Sequence, residues 1–444
     1  MFRFVCSALI FLAFLQAAFS GGALAQKPGG GKTNPVKYEL TPDDNSFLED
    51  LEHRAFLYFW EHSDENTGLT LDRARTNGDA PPPSADHYNV ASIASTGFAL
   101  TSYCIAVDRK WVTAEQARQR TRNTLDFFAN RAFQQNGWFY HWMDKVTGER
   151  RWKSEVSSID TALLLGGVLT VRQCFADDKE IVGLATKIYE RVDFKWMLNG
   201  DKYLLSHGWH PETGFIKNRW HDYSEDKMLY LMAIGSPTHS INWRAWYAWE
   251  RGYITYQNYR YLAAVSPLFI HQYSHAWVDF RGRQERFGKF HTDYFQNSID
   301  ATRAQRQFFI DVLSKEFPNY NQNVWGLTAS DFQGGYVAWG APPRDAATDG
   351  SVVPCAAGGS LMFTPDISLP ALREMKTRYG AQIYGRYGFA DAFNPQTKWV
   401  DKDVLGIDVG ITLLSAENLR TQNVWNWYMK NAEINTALRK IQLF

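Results

Sequence analysis

Residues 157–175 read SSIDTALLLGGVLTVRQCF. After Asp160 no charged side chain appears until Arg172, so a helix over this stretch is apolar on every face. Such a helix is buried, whereas a surface helix carries a single apolar stripe. NVASIASTGFAL (89–100) reads the same way, while TAEQARQRTRNTLDFF (113–128) and DATRAQRQFFIDVL (300–313) are amphipathic and charged. Helical periodicity recurs at 47–63, 178–198, 224–235, 266–280, 368–380, 406–420 and 424–441. The apolar and amphipathic kinds broadly alternate, which predicts inner and outer rings: an all-α fold, an (α/α)6 barrel. Short β pieces, GWFYHWMD (137–144) and GFIKNRW (214–220), fall in its loops. A helical solenoid is the competing layout, but no fixed repeat period is visible.

The ends of the chain are of other kinds. MFRFVCSALIFLAFLQAAFSGGALAQ has a basic start, an apolar run and an ALA triplet, the pattern of a secretory signal peptide over 1–25. Cys6 lies too early to be a lipoprotein cysteine. Residues 26–46 are rich in Gly, Pro and Lys at their start and read as a flexible linker. One catalytic-sized domain, 47–444, follows. No later segment is apolar and long enough to span a membrane, so the expected location is the periplasm or the exterior, as a monomer.

Of the 444 residues, 47 are Lys or Arg and 47 are Asp or Glu, a balance that argues against nucleic acid as a partner. Aromatics are abundant instead, and many of the 17 Trp sit in polar contexts such as NGWFYHW, HGWHP and NRWHDY. Trp in such loops suits a ligand with apolar faces and a polar rim, as a sugar has. Cys104, Cys174 and Cys355 remain after the signal, with no CxxC spacing, so neither a disulfide framework nor a zinc site is expected. Cys104 and Cys174 read as core thiols, and Cys355 lacks an evident base to make it a nucleophile. His207, His210, His221 and His239 lack the HExxH spacing of a zinc helix. RGRQERFGKFH (281–291) reads as a solvated loop.

Three acids stand where predicted apolar helices begin: Asp160, Glu225 and Asp408. Parallel inner helices would bring them to one rim of a barrel. Acids at helix starts also serve as caps, and Asp222 with Glu225 three residues on fits a capping box. Their surroundings point further. Arg219, Trp220, His221 and Tyr223 crowd Glu225; Trp152 and Glu155 precede Asp160; Trp399, Asp401 and Asp403 precede Asp408. Glycoside hydrolysis needs one carboxyl group protonated and another ionised, and an aromatic wall raises one pKa while a polar site holds the other low. Glu225 is the expected acid. Asp408 is the expected base, followed by Asp160. Asp222 is the expected cap.

Eight stretches resemble the bacterial glycoamylase-like domain family, which includes secreted and periplasmic endo-β-1,2-glucanases. They are GLTLDR (68–73), SIASTGFALT (92–101), SSIDTALLLGG (157–167), YSEDKMLYLMAIGSPTH (223–239), WGLTASDFQGGY (325–336), DGSVVPCAAGGSLMFTPD (349–366), YGRYGFADAFN (384–394) and GIDVGITLLSAENLRTQNVW (406–425). The resemblance implies an (α/α)6 barrel, no cofactor and an inverting hydrolase of β-glucan, with Glu225 as proton donor and Asp160 and Asp408 as further site acids; the spacing of the histidines gives no metal site to expect. It also implies groove roles for Asp72, Arg73, Asp331 and Tyr336, beside Glu155, Trp220, His221, Tyr223 and Trp399. Family members more often have Gln-Gly-Pro after GID, where this chain has Val409, Gly410 and Ile411, and Tyr where it has Leu419; both changes are expected at a subsite wall. An exo-acting or transglycosylating relative, a lyase or a non-catalytic sugar-binding protein are the alternatives.

Overall fold

In the computed structural model, residues 38–263, 267–339, 343 and 347–444 are described. The expected signal peptide lies outside them. Helix predominates. The apolar stretches of the sequence become helices Ile93–Asp108, Ser158–Cys174, Lys227–Gly235 and Gly406–Arg420, each buried over most of its length. Charged amphipathic segments become Ala114–Asp126, Lys179–Arg191, Tyr294–Asp311 and Ala432–Lys440, which bury one face only.

Two glycines explain how closely the apolar helices approach. A Cβ on Gly167 would lie 2.1 Å from the Gly97 carbonyl oxygen, and one on Gly97 would lie 2.2 Å from that of Leu163. Helices Ile93–Asp108 and Ser158–Cys174 therefore meet backbone to backbone. Their far ends are joined by a Cys104–Cys174 disulfide, so the expectation of two separate core thiols is corrected. Seventy residues separate the two cysteines, and no local motif announces such a pair.

Three further expectations change. The linker stops short of residue 46, because a helix runs Pro42–His62, capped by Thr41 in a reciprocal bond with Asp44. The predicted helix over 266–280 is instead a 3-10 turn, Leu268–His271, followed by the short helix Tyr273–Trp277; Gln272 between them donates to Ala356 O at 2.9 Å and Ser360 Oγ at 2.8 Å. The helix predicted over 424–441 divides into Asn423–Tyr428 and Ala432–Lys440 around buried Asn431, which holds Arg172 and the Leu169 carbonyl. The basic stretch 281–291 is mostly solvent-accessible, as expected, but is pinned at one residue. Glu285 is fully buried and accepts from Trp246 Nε1, Arg251 and the Tyr294 hydroxyl.

Short antiparallel pairs fill the loops at the starts of the apolar helices. Val156–Ser157 pairs with Gly208–His210 and leads into Ser158–Cys174. Asp403–Leu405 pairs with Arg73–Arg75 and leads into Gly406–Arg420. Those pairings fix where each helix begins. Among the described residues, no helix is long and apolar enough to cross a membrane.

Candidate active site

Asp160 is the third residue of its helix and is tied to the cap: its N–H donates to Ser157 Oγ at 3.2 Å, and its Oδ2 accepts from the same hydroxyl at 2.6 Å. The cap is Ser157, and the Asp160 carboxylate braces its hydroxyl. Asp408 also lies three residues into a helix, but that helix has no side-chain cap. The reading of Asp222 as a cap is corrected. The apolar helix begins at Lys227, not before Glu225, and Asp226 at its cap position makes no capping bond. Asp222 instead sits in an isolated bridge with Glu250, 3.2 Å from His221 Nε2. Glu225 is thus held just ahead of the helix, with Ser224 donating to its carboxylate and Ser274 to its carbonyl.

Beneath this turn, Lys227 is buried and donates to Ser224 O at 2.7 Å and Ile270 O at 3.1 Å. Burial lowers the Lys227 pKa and raises that of the adjacent Asp226. Burial also raises Glu225, outweighing the Ser224 bond, and the nearby Asp160 charge adds to the rise. A raised carboxyl pKa favours the protonated form that proton donation needs.

His141 joins Asp160 to Glu155. Its Nδ1 is 3.0 Å from Glu155 Oε1 and its Nε2 is 3.4 Å from Asp160 Oδ1. Burial disfavours the imidazolium, but the two carboxylates outweigh it and raise its pKa to about 9. Burial works against the Glu155 charge as well, yet His141 pulls its pKa down to about 2. With both ring nitrogens protonated, His141 donates to both carboxylates. Trp142 stacks on His141 with ring centres 3.4 Å apart, and Trp152 stands edge-on to Trp142. Trp152 and Lys153 both adopt left-handed backbone, at φ 52° each; for a bulky residue such geometry is strained and clusters at functional sites.

On the other side, Arg73 gathers the acids. It lies 2.6 Å from Asp331, 3.3 Å from Asp72 and 3.8 Å from Asp403. Asp331 pairs across a hairpin with half-exposed Tyr336. Asp408 is buried, and burial pushes its pKa up to about 6 although the neighbouring Asp391 and Cys355 side chains pull it down. Cys355 is buried beside it with its thiol raised by burial and that charge, so it is no thiolate nucleophile. Tyr273 lies within electrostatic reach of both Asp408 and Glu225. The three expected acids therefore share one region, linked through His141, Asp72 and Tyr273.

Other expected groove residues stand apart from it. Trp220 is buried, donates to Ser158 Oγ at 2.9 Å and stacks on His207, so it supports the wall rather than presenting a face. Tyr223 is buried with its hydroxyl 3.1 Å from His271 Nδ1. His221 is exposed, and Trp399 is half-buried on the strand Trp399–Val400. Leu419 is eleven residues past Asp408 on one helix, roughly 16 Å along its axis, so it is not at the subsite wall where it was expected. Sequence reasoning gave Asp391 and His141 no role. Asp391 stood inside the quoted GFADAFN stretch, in a bend without periodicity.

Residues 217–432 match the family model "Glycoamylase: Putative glucoamylase". The chain is 26% identical, over 95% of its length, to the exo β-1,2-glucooligosaccharide sophorohydrolase (non-reducing end) of Parabacteroides distasonis. It spans 61% of that relative. Among solved structures, endo-β-1,2-glucanase from Chitinophaga pinensis, in complex with sophorotriose and glucose, is 27% identical with a TM-score of 0.82, over 90% of this chain and 98% of that one. An endo-β-1,2-glucanase from Talaromyces funiculosus, at 12% identity and a TM-score of 0.59 over 90% of this chain and 92% of that one, shares the fold. The chain resembles the glycoamylase-like domain family, as its motifs led one to expect. Its similar proteins include both an endo-β-1,2-glucanase and a sophorohydrolase.

Proposed function

We propose that this chain is a glycoside hydrolase that cleaves β-1,2-linked glucan by an inverting acid/base mechanism. Glu225 donates its proton to the glycosidic oxygen as the bond to the anomeric carbon breaks. Asp408 takes a proton from water, whose oxygen attacks that carbon from the opposite face. Asp160, fixed by Ser157 and His141, adds to the burial that raises the Glu225 pKa whenever it is ionised, although burial raises its own pKa too. One observation carries the reading: Glu225 and Asp408 are desolvated carboxyls with raised pKa values, and neither caps a helix.

The buried apolar helices, the amphipathic ones around them and the likeness to helical glucanases support an (α/α)6 barrel. Export to the periplasm or beyond is the proposed location. The Cys104–Cys174 disulfide supports it, because such bonds persist in oxidising compartments. A monomer is proposed.

The test is to incubate the protein with linear β-1,2-glucan and size the products over time. A ladder of short oligosaccharides from the first points indicates endo cleavage. A single disaccharide product indicates the exo alternative, which the sophorohydrolase likeness favours. No cleavage of β-1,2-glucan would refute the substrate assignment.

A further inference from the structure

Asp391 and Asp408 come from separate parts of the chain, one from the bend before the Phe393–Asn394 strand, the other from the helix Gly406–Arg420. Both carboxyl groups line one crevice with Cys355, Val404, Leu405 and Thr412. Asp391 is 3% exposed and Asp408 7%. The Asp331 N–H donates to Asp391 Oδ2 at 2.6 Å. What remains is unusual: Asp391 Oδ1 and Asp408 Oδ2 are both buried without a donor among the described residues. Two buried carboxylate oxygens cannot both stay bare, since each would forgo its hydration without recompense. The two side chains lie within hydrogen-bonding reach of each other, so one proton shared by the pair relieves this.

The surroundings decide on which residue it rests. Around the pair stand Asp72, Asp331 and Asp401, with Arg73 as the cation and the hydroxyls of Tyr273 and Tyr336 nearby. Arg73 is committed to Asp72 and Asp331 at hydrogen-bonding distance. Asp408 also receives the Cys355 thiol, a donor that Asp391 lacks. The charge is therefore better placed on Asp408.

We propose that Asp391 is a positioning residue for Asp408: it keeps the shared proton, donates it as a hydrogen bond to the Asp408 carboxylate and so holds that carboxylate ionised and aimed at the attacking water. This rests on the assignment of Asp408 as base. Burial and the Asp408 charge raise the Asp391 pKa, in agreement with the geometry. The pair titrates as a unit.

The experiment compares Asp391→Ala and Asp391→Asn with the wild type, by kinetics on β-1,2-glucan and by infrared difference spectroscopy at neutral pH. Asp391→Ala lowers kcat by about 100-fold, the scale of a misplaced reacting group, with KM little changed. In Asp391→Asn the amide N–H replaces the carboxyl O–H while its oxygen keeps the Asp331 bond, so about tenfold or more of the lost kcat returns. The wild type shows the carbonyl band of a protonated carboxylic acid that Asp391→Asn lacks. If Asp391→Asn is as inactive as Asp391→Ala, the residue acts as an anion and the proposal falls. It falls equally if the infrared spectra do not differ in that band. Should the wild type leave β-1,2-glucan uncut, the substrate reading fails alone, and the infrared band still decides where the proton sits.

Discussion

His141 Nε2 lies 3.4 Å from Asp160 Oδ1 while the same ring holds Glu155 on its other nitrogen, so one imidazolium neutralises two acids of the candidate site. Its pKa of about 9 exceeds the ordinary 6.5. A raised pKa of this kind contributes stability that is complete below 6.5 and is lost as pH climbs through 9. The ion pairs are only partly shielded, so the loss is of the order of 1–3 kcal/mol. Thermal unfolding should therefore show Tm falling between pH 6.5 and 9. His141→Gln should flatten that fall; an unchanged slope would remove His141 as its cause.

Glu225→Gln keeps the shape of the side chain but removes the donated proton. Hydrolysis should drop by about 100-fold or more, the usual contribution of a general acid, with the unfolding midpoint nearly unchanged. Near-wild-type turnover in this variant would exclude Glu225 as the acid.

Asp408 must be ionised to accept a proton from water, and its pKa is raised to about 6. Activity of the wild type should accordingly decline as pH falls through about 6. Asp408→Asn should be inactive at every pH tested. If Asp160→Asn were inactive and Asp408→Asn were not, the base would be Asp160.

The Cys104–Cys174 bond closes a long loop between two buried helices. Replacing both cysteines by serine should cost about 2–4 kcal/mol of stability, read by denaturant unfolding without reductant. The same variant should show no further loss on adding reductant, unlike the wild type.

Gly167→Ala tests the close helix contact. Its new Cβ would meet the Gly97 carbonyl oxygen at 2.1 Å, so the helices must separate. A loss of about 1–3 kcal/mol is expected, as for other overpacked cores. A neutral effect would mean that the contact relaxes at little cost.

The buried helices were legible in the sequence because one property, apolar side chains on every face, marks 93–108, 158–174 and 406–420 alike. Glu225, Asp160 and Asp408 were legible as a set through that same pattern, since each sits where an apolar run begins. The Asp222 cap was misread because i, i+3 spacing looks the same whether or not a helix follows at once. Here the chain from Arg219 to Asp222 is held by bridges to Ser206 and Glu250, partners that local sequence does not reveal. Asp391 was missed for the same reason. Its importance comes from Asp331 and Asp408, which reach it from other segments. The disulfide depended on two helices lying side by side, and no spacing rule encodes that.

Lys227 fastens the Glu225 turn through the carbonyl oxygens of Ser224 and Ile270, buried within the protein. The proposed proton donor is thus moored from below, by buried groups. Recognition and mooring are then separate inheritances. Substitutions along the groove can retune which glucan fits, and whether chains are cut internally or from an end, while the acid stays at its station.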